Sequence, residues 1–356
     1  MKMSFRWYGK KNDPIPLEYV RQIPGTKEVV WALHHKVAGE VWGKEEIQEE
    51  VAYIKSFGLD VSVVESVNIH DDIKLGLDSR EQYIQNYIET LTNLAEVGVK
   101  VVCYNFMPVF DWTRTELFHQ LEDGSTALYM DKAKILSLDP QELIEMFEGG
   151  SQGLTLPGWE PERMAKIKEL FQAYDGITED RLRENFKYFI DAIMPTCEKY
   201  DIKMAIHPDD PPFPIFGLPR LVNNAENIGK LLAVNESKHH GLTFCTGSLG
   251  ADASNDIVEL LETYYDRVHF MHVRNVNVEA DGNFTEVSHY TTDGTVDITG
   301  VMEVLAKNNY QGYIRPDHGR HVFGENENNV RPGYGLYDRA MGMMYLHGAY
   351  DAFKKA

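Results

Sequence analysis

The chain has 356 residues, of which 43% are hydrophobic, and its 55 acidic against 35 basic residues give a formal net charge of -20 at pH 7. This length and apolar content suffice for a large core, either in one (βα)8 barrel with insertions or in two smaller domains. The strong negative charge disfavours nucleic acid or an anionic membrane surface as the main partner, because no run of Lys or Arg provides a separate basic patch.

The cysteines and the N-terminal segment bear on the cellular compartment. Cys103, Cys197 and Cys245 are odd in number and widely separated, which predicts no disulfide framework and indicates a reducing environment. The first residues lack the apolar core of a signal peptide, and no stretch approaches the ~18 uninterrupted apolar residues of a membrane span. We therefore expect a cytoplasmic protein.

Short β-rich runs recur along the chain, with amphipathic stretches between them. The runs predicted as strands are residues 3–8, 29–34, 60–65, 100–106, 203–208, 241–246, 267–272 and 312–317. Between the second and third runs, Ile47, Val51 and Ile54 recur at helical spacing, and Gly58 suits the end of that helix. Eight strands alternating with helices, without a Gly-rich phosphate motif after the first, favour an α/β fold of the closed (βα)8 or TIM barrel type over an open sheet.

Two connections are too long for a plain barrel. Residues 109–176 follow the fourth strand and include helical patterns in DPQELIEMFEGG and EPERMAKIKELFQAY, so we expect an inserted helical region there. Residues 276–292 follow the seventh strand. Polar and apolar residues alternate there on either side of an Asp281-Gly282 turn, which predicts a β-hairpin. We interpret residues 1–356 as a single barrel domain with these two insertions.

Four residues with metal-binding side chains close four of the strand-like runs. They are His207 in KMAIHPDD, Cys245 in GLTFCTGS, His272 in VHFMHVRN and Asp317 in YIRPDHGR. Their spacing suits successive strand-helix units, and the C-terminal ends of barrel strands meet at the mouth where barrel active sites lie. Because neighbouring strand residues point to opposite faces, inward-pointing ligands leave the apolar Ile206, Phe244 and Met271 facing the helices.

Each of these four residues also has an ordinary structural interpretation. A single strand histidine is more often a hydrogen-bonded core residue than a ligand, and a single strand cysteine usually packs as a small apolar residue. Four such residues at equivalent strand ends, one of them a carboxylate that is costly to bury unpaired, favour one shared cation instead. Because the set mixes soft and hard ligands, zinc, iron, manganese and cobalt all remain open.

Several motifs resemble those of the mannonate dehydratases of hexuronate catabolism. The matching stretches include RWYG, ALHH, VWGKEEI, VVESVNIHDDIK, VVCYNFMPVFDWTRT, AIHPDDPPFPIFGLPR, FCTGSLG, FMHVRN, RPDHGR and PGYG, and they extend over nearly the whole chain. FMHVRN and RPGYG depart slightly from the FTHLRS and NPGYG forms of other members. The resemblance implies a xylose-isomerase-like TIM barrel that binds a divalent cation, Mn2+ with Fe2+ or Co2+ as alternatives, through His207, Cys245, His272 and Asp317.

The resemblance further implies a lyase that removes the C2 proton and the C3 hydroxyl of D-mannonate to give 2-dehydro-3-deoxy-D-gluconate, without a redox cofactor. The candidate acid and base are His318, which immediately follows Asp317, and Tyr334, which lies between Gly333 and Gly335. An imidazole titrates near neutrality, whereas a phenol needs a nearby cation to act as a base. Which of the two is the base stays open at this point.

Candidate substrate-binding residues lie at other strand ends. Arg274, two residues past His272, is the best candidate for holding a carboxylate or hydroxyl group, and its alternative role is an ion pair with an aspartate at the barrel mouth. Trp7, His34 and Asn105 lie at the ends of the first, second and fourth predicted strands and are expected to line the pocket. For each of these three, packing in the core or at the rim is the alternative.

Three other functions fit these residues less well than a dehydratase does. A sugar isomerase on the same barrel would favour a carboxylate-rich two-metal site, and a nuclease would need a basic groove. A non-catalytic sugar-acid binding protein would need no acid-base pair, so it is distinguished by His318 and Tyr334. We expect a small-molecule sugar acid as the partner and, because of the large insertion, a homodimer or higher homo-oligomer.

Overall fold

The computed structural model describes residues 1–150, 165–327 and 330–355. Within them the strands are β1 (Lys2–Arg6), β2 (Glu28–Trp31), β3 (Asp60–Glu65), β4 (Val101–Tyr104), β5 (Glu116–Gln120), β6 (Thr126–Met130), β7 (Lys203–Ile206), β8 (His240–Cys245), β9 (Val268–Val273), β10 (Asn275–Val278), β11 (Phe284–Val287) and β12 (Tyr313–Pro316). The helices are Leu17–Gln22, Lys44–Ser56, Asp71–Leu75, Arg80–Glu96, Lys132–Ser137, Pro140–Gly150, Ile167–Tyr174, Glu179–Tyr200, Ala225–Leu232, Thr246–Gly250, Ile257–Tyr264, Ile298–Lys307 and Leu336–Lys355, with 3-10 turns at Tyr265–Arg267, Thr291–Asp293 and Glu325–Glu327.

Eight strands close into a barrel in the order β1-β12-β9-β8-β7-β4-β3-β2. Every neighbouring pair in the barrel is parallel. The barrel strands are the eight that the sequence predicts, so the (βα)8 fold is confirmed. All of their C-terminal ends consequently open at one mouth.

The helix Lys44–Ser56 shows how the sequence determines an outer element. Its buried residues Ile47, Val51 and Ile54 recur on the face that covers the barrel. Acidic side chains in its first turn and Lys55 in its last turn complement the helix dipole. Gly58 has a positive φ of 74°, which glycine adopts without steric cost where the chain turns back toward β3.

The barrel interior contains a separate apolar cluster formed by alternate strand residues. It comprises Val30, Val63, Val101, Cys103, Ala205, Phe270 and Tyr313. Ile206, Phe244 and Met271 belong instead to the larger core that includes the helices. This is the alternation that the sequence predicts for inward-pointing residues at the ends of β7, β8 and β9.

A second sheet has four strands in the order β10-β11-β6-β5. The hairpin of β10 and β11 begins one residue before the segment predicted as a hairpin, residues 276–292, and its two strands pair antiparallel. The antiparallel strands β5 and β6 lie within residues 109–176, where only helices are expected from the sequence. Phe284 pairs with Met130 and Thr285 with Tyr129, so both insertions contribute to one sheet.

Residues 109–176 also contain the helices Lys132–Ser137, Pro140–Gly150 and Ile167–Tyr174. The helical pattern predicted over residues 160–174 begins outside the described residues. Among the helices that the structure describes, none has the length and apolar character needed to cross a lipid bilayer.

Candidate metal centre and active site

The four candidate ligands converge at the barrel mouth. Cys245 ends β8, His272 lies one residue before the end of β9, and His207 and Asp317 directly follow β7 and β12. Potential ligand atoms of all four side chains lie within 4.8 Å of one another. His272 is paired in register with Cys245 on one side and with Arg315 on the other, so the strand pairing itself places these side chains together.

The thiol of Cys245 is surrounded by groups that favour its charged form. Its sulfur accepts hydrogen bonds from Oγ of Ser248 at 3.1 Å and from the backbone nitrogen of Ser248 at 3.5 Å, at the start of the helix Thr246–Gly250. Although burial raises the pKa of the Cys245 thiol, the charge of Arg274 and hydrogen bonds from His207 and His272 hold this pKa well below its usual value. A thiolate is the form that binds metals.

The other three candidate ligands have partners that orient them. Nδ1 of His207 donates a hydrogen bond to the carbonyl oxygen of Pro208 at 2.7 Å, so Nε2 is the ring nitrogen left to contact Cys245 and, once it loses its proton, to bind a cation. Arg315 Nη1 lies 2.8 Å from Oδ1 of Asp317, and Arg274 Nε donates to Oδ2 at 2.9 Å. Burial raises the pKa of the Asp317 carboxyl, but the charges of Arg315 and other neighbouring cations hold it well below its usual value.

These side chains fit a divalent transition metal. Two imidazoles, a thiolate and a carboxylate are a donor set that such cations accept. Nε2 of the fully buried His272 lies 3.3 Å from Oε2 of Glu65, and its Nδ1 lies 3.3 Å from Nη2 of Arg315, so neighbouring charged side chains orient this imidazole within the group. The four residues therefore form a candidate metal-binding group.

A second group, Glu65, Cys103 and His272, shares a histidine with the first. Its carboxylate is already compensated, because Arg315 donates to both oxygens of Glu65 at 3.0 and 3.2 Å. Burial raises the pKa of the Cys103 thiol well above its usual value, and the hydroxyl of Thr243 donates to its sulfur at 3.1 Å. A neutral thiol and a paired carboxylate make this the weaker site for a cation.

His318 and Tyr334 form a buried hydrogen-bonded pair beside the candidate metal-binding group. Nε2 of His318 lies 3.0 Å from the hydroxyl of Tyr334. Burial and the neighbouring Tyr8 and Asp317 raise the pKa of the Tyr334 phenol well above its usual value, so it holds its proton. Gly333 precedes this tyrosine with a positive φ of 77°, and a side chain there would lie 2.8 Å from Leu128.

The structure adds a residue that sequence reasoning missed. Glu286 on β11 is fully buried, and its Oε1 lies 3.0 Å from Nδ1 of His318. Burial raises the pKa of this carboxyl, but the charges of His318, Arg274 and Arg114 lower it from 4.5 to about 2. The signal in the sequence is a glutamate two residues after Phe284, on the face of the hairpin that is buried.

The pocket at the mouth is lined mainly by polar and aromatic residues. Its walls are Tyr8, Glu65, Ser66, Cys103, Tyr104, Asn105, Asp111, Trp112, His207, Asp210, Arg315, Asp317, His318 and Tyr334. Of the substrate-binding residues expected from the sequence, Asn105 is among them. Trp7 is not: its indole Nε1 donates to the carbonyl oxygen of Ile15 at 3.1 Å, and its neighbour Tyr8 points to the pocket instead.

His34 and Arg274 also differ from their expected positions. His34 lies 3.1 Å from Nη2 of Arg6 and lines an adjoining cavity that shares Tyr8 with the pocket. Arg274 is fully buried, and its Nε, Nη1 and Nη2 donate to Asp317, Glu286 and Asp210 at 2.9, 2.7 and 2.7 Å. The alternative role of Arg274, as an ion-pair partner at the barrel mouth, is the one that these contacts describe.

A buried imidazole-phenol pair at the mouth of a parallel barrel has the groups that acid-base chemistry on a bound small molecule requires, and the barrel mouth is where enzymes of this fold have their active sites, so the chain has the architecture of a barrel enzyme. Its family follows from comparison of the whole sequence. The family model described as D-mannonate dehydratase (UxuA) matches residues 1–356, so the chain belongs to the D-mannonate dehydratase family.

Individual relatives agree with this assignment. The mannonate dehydratase of Bacillus subtilis (strain 168) is 57% identical over 354 residues, covering 99% of this chain and 98% of that protein. The mannonate dehydratase of Endomicrobium trichonymphae is 53% identical over 355 residues, covering 100% and 97%. The crystal structure of mannonate dehydratase from Streptococcus suis serotype 2 superposes with a TM-score of 0.89 at 41% identity, covering 100% of this chain and 95% of that one.

Proposed function

We propose that this chain is a metal-dependent hydro-lyase that converts D-mannonate to 2-dehydro-3-deoxy-D-gluconate and water in hexuronate catabolism. Membership of the D-mannonate dehydratase family over residues 1–356 supports the reaction. The observation that carries the proposal is the 3.0 Å contact between Nε2 of His318 and the hydroxyl of Tyr334, beside the candidate metal-binding group. A protein that only binds a sugar acid has no need of such a pair.

The reaction has two energetic difficulties, and the residues at the mouth address both. The C2 proton is weakly acidic because it lies next to a carboxylate, and the C3 hydroxyl leaves poorly unless it is protonated. A divalent cation held by His207, Cys245, His272 and Asp317, which we propose to be Mn2+ with Fe2+ and Co2+ as alternatives, would supply Lewis-acid stabilisation of the negative charge that develops on the substrate.

The hydrogen-bond directions support a different role for each member of the pair. The carboxylate of Glu286 can only accept, so Nδ1 of His318 carries the proton between them, and in the neutral form of the ring Nε2 has the lone pair. His318 is therefore the proposed base for the C2 proton. Tyr334, which keeps its proton, is the proposed acid for the departing C3 hydroxyl.

This assignment also returns the enzyme to its starting state. His318 gains one proton from C2, and Tyr334 gives one proton to the hydroxyl that leaves as water. The protonated Nε2 of His318 then returns its proton to the phenolate of Tyr334 across their 3.0 Å contact. The enol product tautomerises to the 2-keto acid, so no oxidant or reductant is consumed.

The proposed activity is tested with purified protein and D-mannonate. The 2-keto-3-deoxy product is measured colorimetrically, first with the protein as isolated, then after treatment with a chelator, and then after Mn2+ is restored. We expect product in the first and third conditions and little in the second. Absence of product with metal bound would overturn the dehydratase assignment, and unchanged activity after verified metal removal would overturn its metal dependence.

Two further expectations stay predictions. All three cysteines are free and buried, which supports the proposed cytoplasmic location. The homodimer or higher homo-oligomer expected from the sequence is to be checked by light scattering.

A further inference from the structure

Glu286 is a buried carboxylate, and its burial requires a physical explanation. It belongs to the hairpin that forms the second sheet rather than to the barrel, yet its side chain is fully buried. Burying a carboxylate is costly unless cations and hydrogen-bond donors compensate it. Its Oε1 accepts hydrogen bonds from Arg114 and from Nη1 of Arg274, and it contacts Nδ1 of His318 at 3.0 Å.

The two arginines also bind Asp210, which closes a ring of four alternating charges. Arg114 donates to both oxygens of Asp210 at 2.7 and 3.0 Å, and Nη2 of Arg274 donates to Oδ2 of Asp210 at 2.7 Å. Two guanidinium groups thus balance two carboxylates, and the ring is neutral without His318. The contact from Glu286 to His318 is additional to this ring, so charge balance within the ring does not explain it.

We propose that Glu286 is a positioning residue for the proton-transfer pair: its carboxylate fixes Nδ1 of His318 as the protonated ring nitrogen and thereby turns the lone pair of Nε2 toward Tyr334. The inference deepens the proposed function and rests on it for its catalytic meaning. The opposite tautomer would place the lone pair of Nδ1 against a carboxylate and remove the acceptor for the hydroxyl of Tyr334.

Glu286 acts through His318, so the test must separate positioning from support of the fold. The wild-type protein, reconstituted with diamagnetic Zn2+ and labelled with 15N histidine, gives a tautomer-specific pattern of ring nitrogen-proton correlations. His318→Asn identifies the signals by their loss. We expect the pattern of an Nδ1-protonated ring for His318, and an Nε2-protonated ring in the wild-type protein would overturn the proposal without any variant of Glu286.

Glu286→Gln replaces one acceptor oxygen by a donor while keeping the shape of the side chain. We expect kcat to fall about 10²- to 10⁴-fold with KM changed less than about threefold, and the His318 signals to shift toward the Nε2-protonated form. Glu279→Gln is the matched control, because Glu279 is an exposed carboxylate on the same hairpin. Equal kcat values for the two variants would overturn the proposal.

Asp210→Asn disturbs the same charge ring without touching His318. We expect it to leave the Nδ1-protonated pattern of His318 unchanged. If Glu286→Gln lowers kcat but also leaves this pattern unchanged, Glu286 only supports the fold and the proposal is wrong. The tautomer is measured without substrate, so it decides the role of Glu286 even if the wild-type protein does not dehydrate D-mannonate, an outcome that would refute the proposed function separately.

Discussion

Arg274 and Glu286 meet at 2.7 Å, Nη1 to Oε1, and both side chains are excluded from solvent. Arg274 directly follows barrel strand β9, whereas Glu286 lies on β11 of the second sheet. This ion pair therefore links the barrel to the sheet that the two insertions form. Because Arg274 also donates to Asp317, one guanidinium connects a candidate metal ligand with the residue that contacts His318.

Arg274→Met should destabilise the protein strongly. Methionine keeps much of the side-chain volume but removes the cation that the buried carboxylates of Asp210, Glu286 and Asp317 share. Breaking a buried ion pair in this way costs about 3–5 kcal/mol. Urea unfolding measures the change in the free energy of unfolding. Arg181→Met is the control, since Arg181 forms an exposed helix pair with Glu184 and we expect little change there. Equal stabilities of the two variants would contradict the account of the charge ring.

The barrel and the convergence of the four candidate ligands could be predicted because the relevant signals are local. Each barrel strand has its own short apolar run, and alternation within a strand determines which side chains point inward. Ala205 and Phe270 lie in the interior cluster and Ile206 in the outer core, as that alternation requires. The same register brings His272 next to Cys245.

The second sheet and its buried carboxylate could be predicted only in part. An Asp281-Gly282 turn indicates the hairpin of β10 and β11 by itself, but the pairing of Phe284 with Met130 joins segments that are distant in sequence. A glutamate carboxylate on the buried face of a hairpin is stable only if cationic side chains compensate its charge. No local sequence pattern shows that Arg114 and Arg274 contact Glu286, because the two arginines lie in different connections of the chain.

Cys245→Ala should weaken metal binding. The substitution removes the thiolate from a group whose four ligand atoms lie together, and we expect the affinity for Mn2+ to fall at least about 100-fold, since loss of even an outer partner of a ligand costs 10- to 100-fold. Metal content after dialysis, measured by mass spectrometry, reports the loss. Cys197→Ala, at a buried cysteine in the helix Glu179–Tyr200, should retain metal. Full metal retention by Cys245→Ala would remove this residue from the site.

Tyr334→Phe should abolish most turnover while the protein still binds metal and substrate. The variant lacks the hydroxyl that contacts Nε2 of His318, and loss of a proton-transfer group typically costs about 10²- to 10⁴-fold in rate. Steady-state kinetics with D-mannonate and calorimetric substrate binding separate the two effects. Tyr337→Phe, at an exposed tyrosine nearby in the chain, controls for the loss of a phenol. Normal kcat in Tyr334→Phe would exclude it as the acid.

His240 makes the stability of the protein depend on pH far from the mouth. It is fully buried at the start of β8, where Nε2 donates to the carbonyl oxygen of Leu231 at 3.1 Å. Burial lowers the pKa of its imidazole from 6.5 to about 4. His240 therefore binds a proton below pH 6.5 in the unfolded chain but only below about pH 4 in the folded chain. Stability is consequently lost as the pH falls from 6.5 to about 4.

His240→Gln should remove this dependence, because an amide can still donate to Leu231 but does not titrate. Relative to the variant, the wild-type protein should lose about 3 kcal/mol of unfolding free energy between pH 7 and pH 4. Urea unfolding at several pH values, with both proteins at the same metal content, measures the difference in slope. His239→Gln, at the partly exposed neighbouring position, controls for the loss of an imidazole. Parallel stability curves for wild type and His240→Gln would show that His240 has the same pKa in the folded and unfolded chain, and a steeper curve for the variant would contradict the sign.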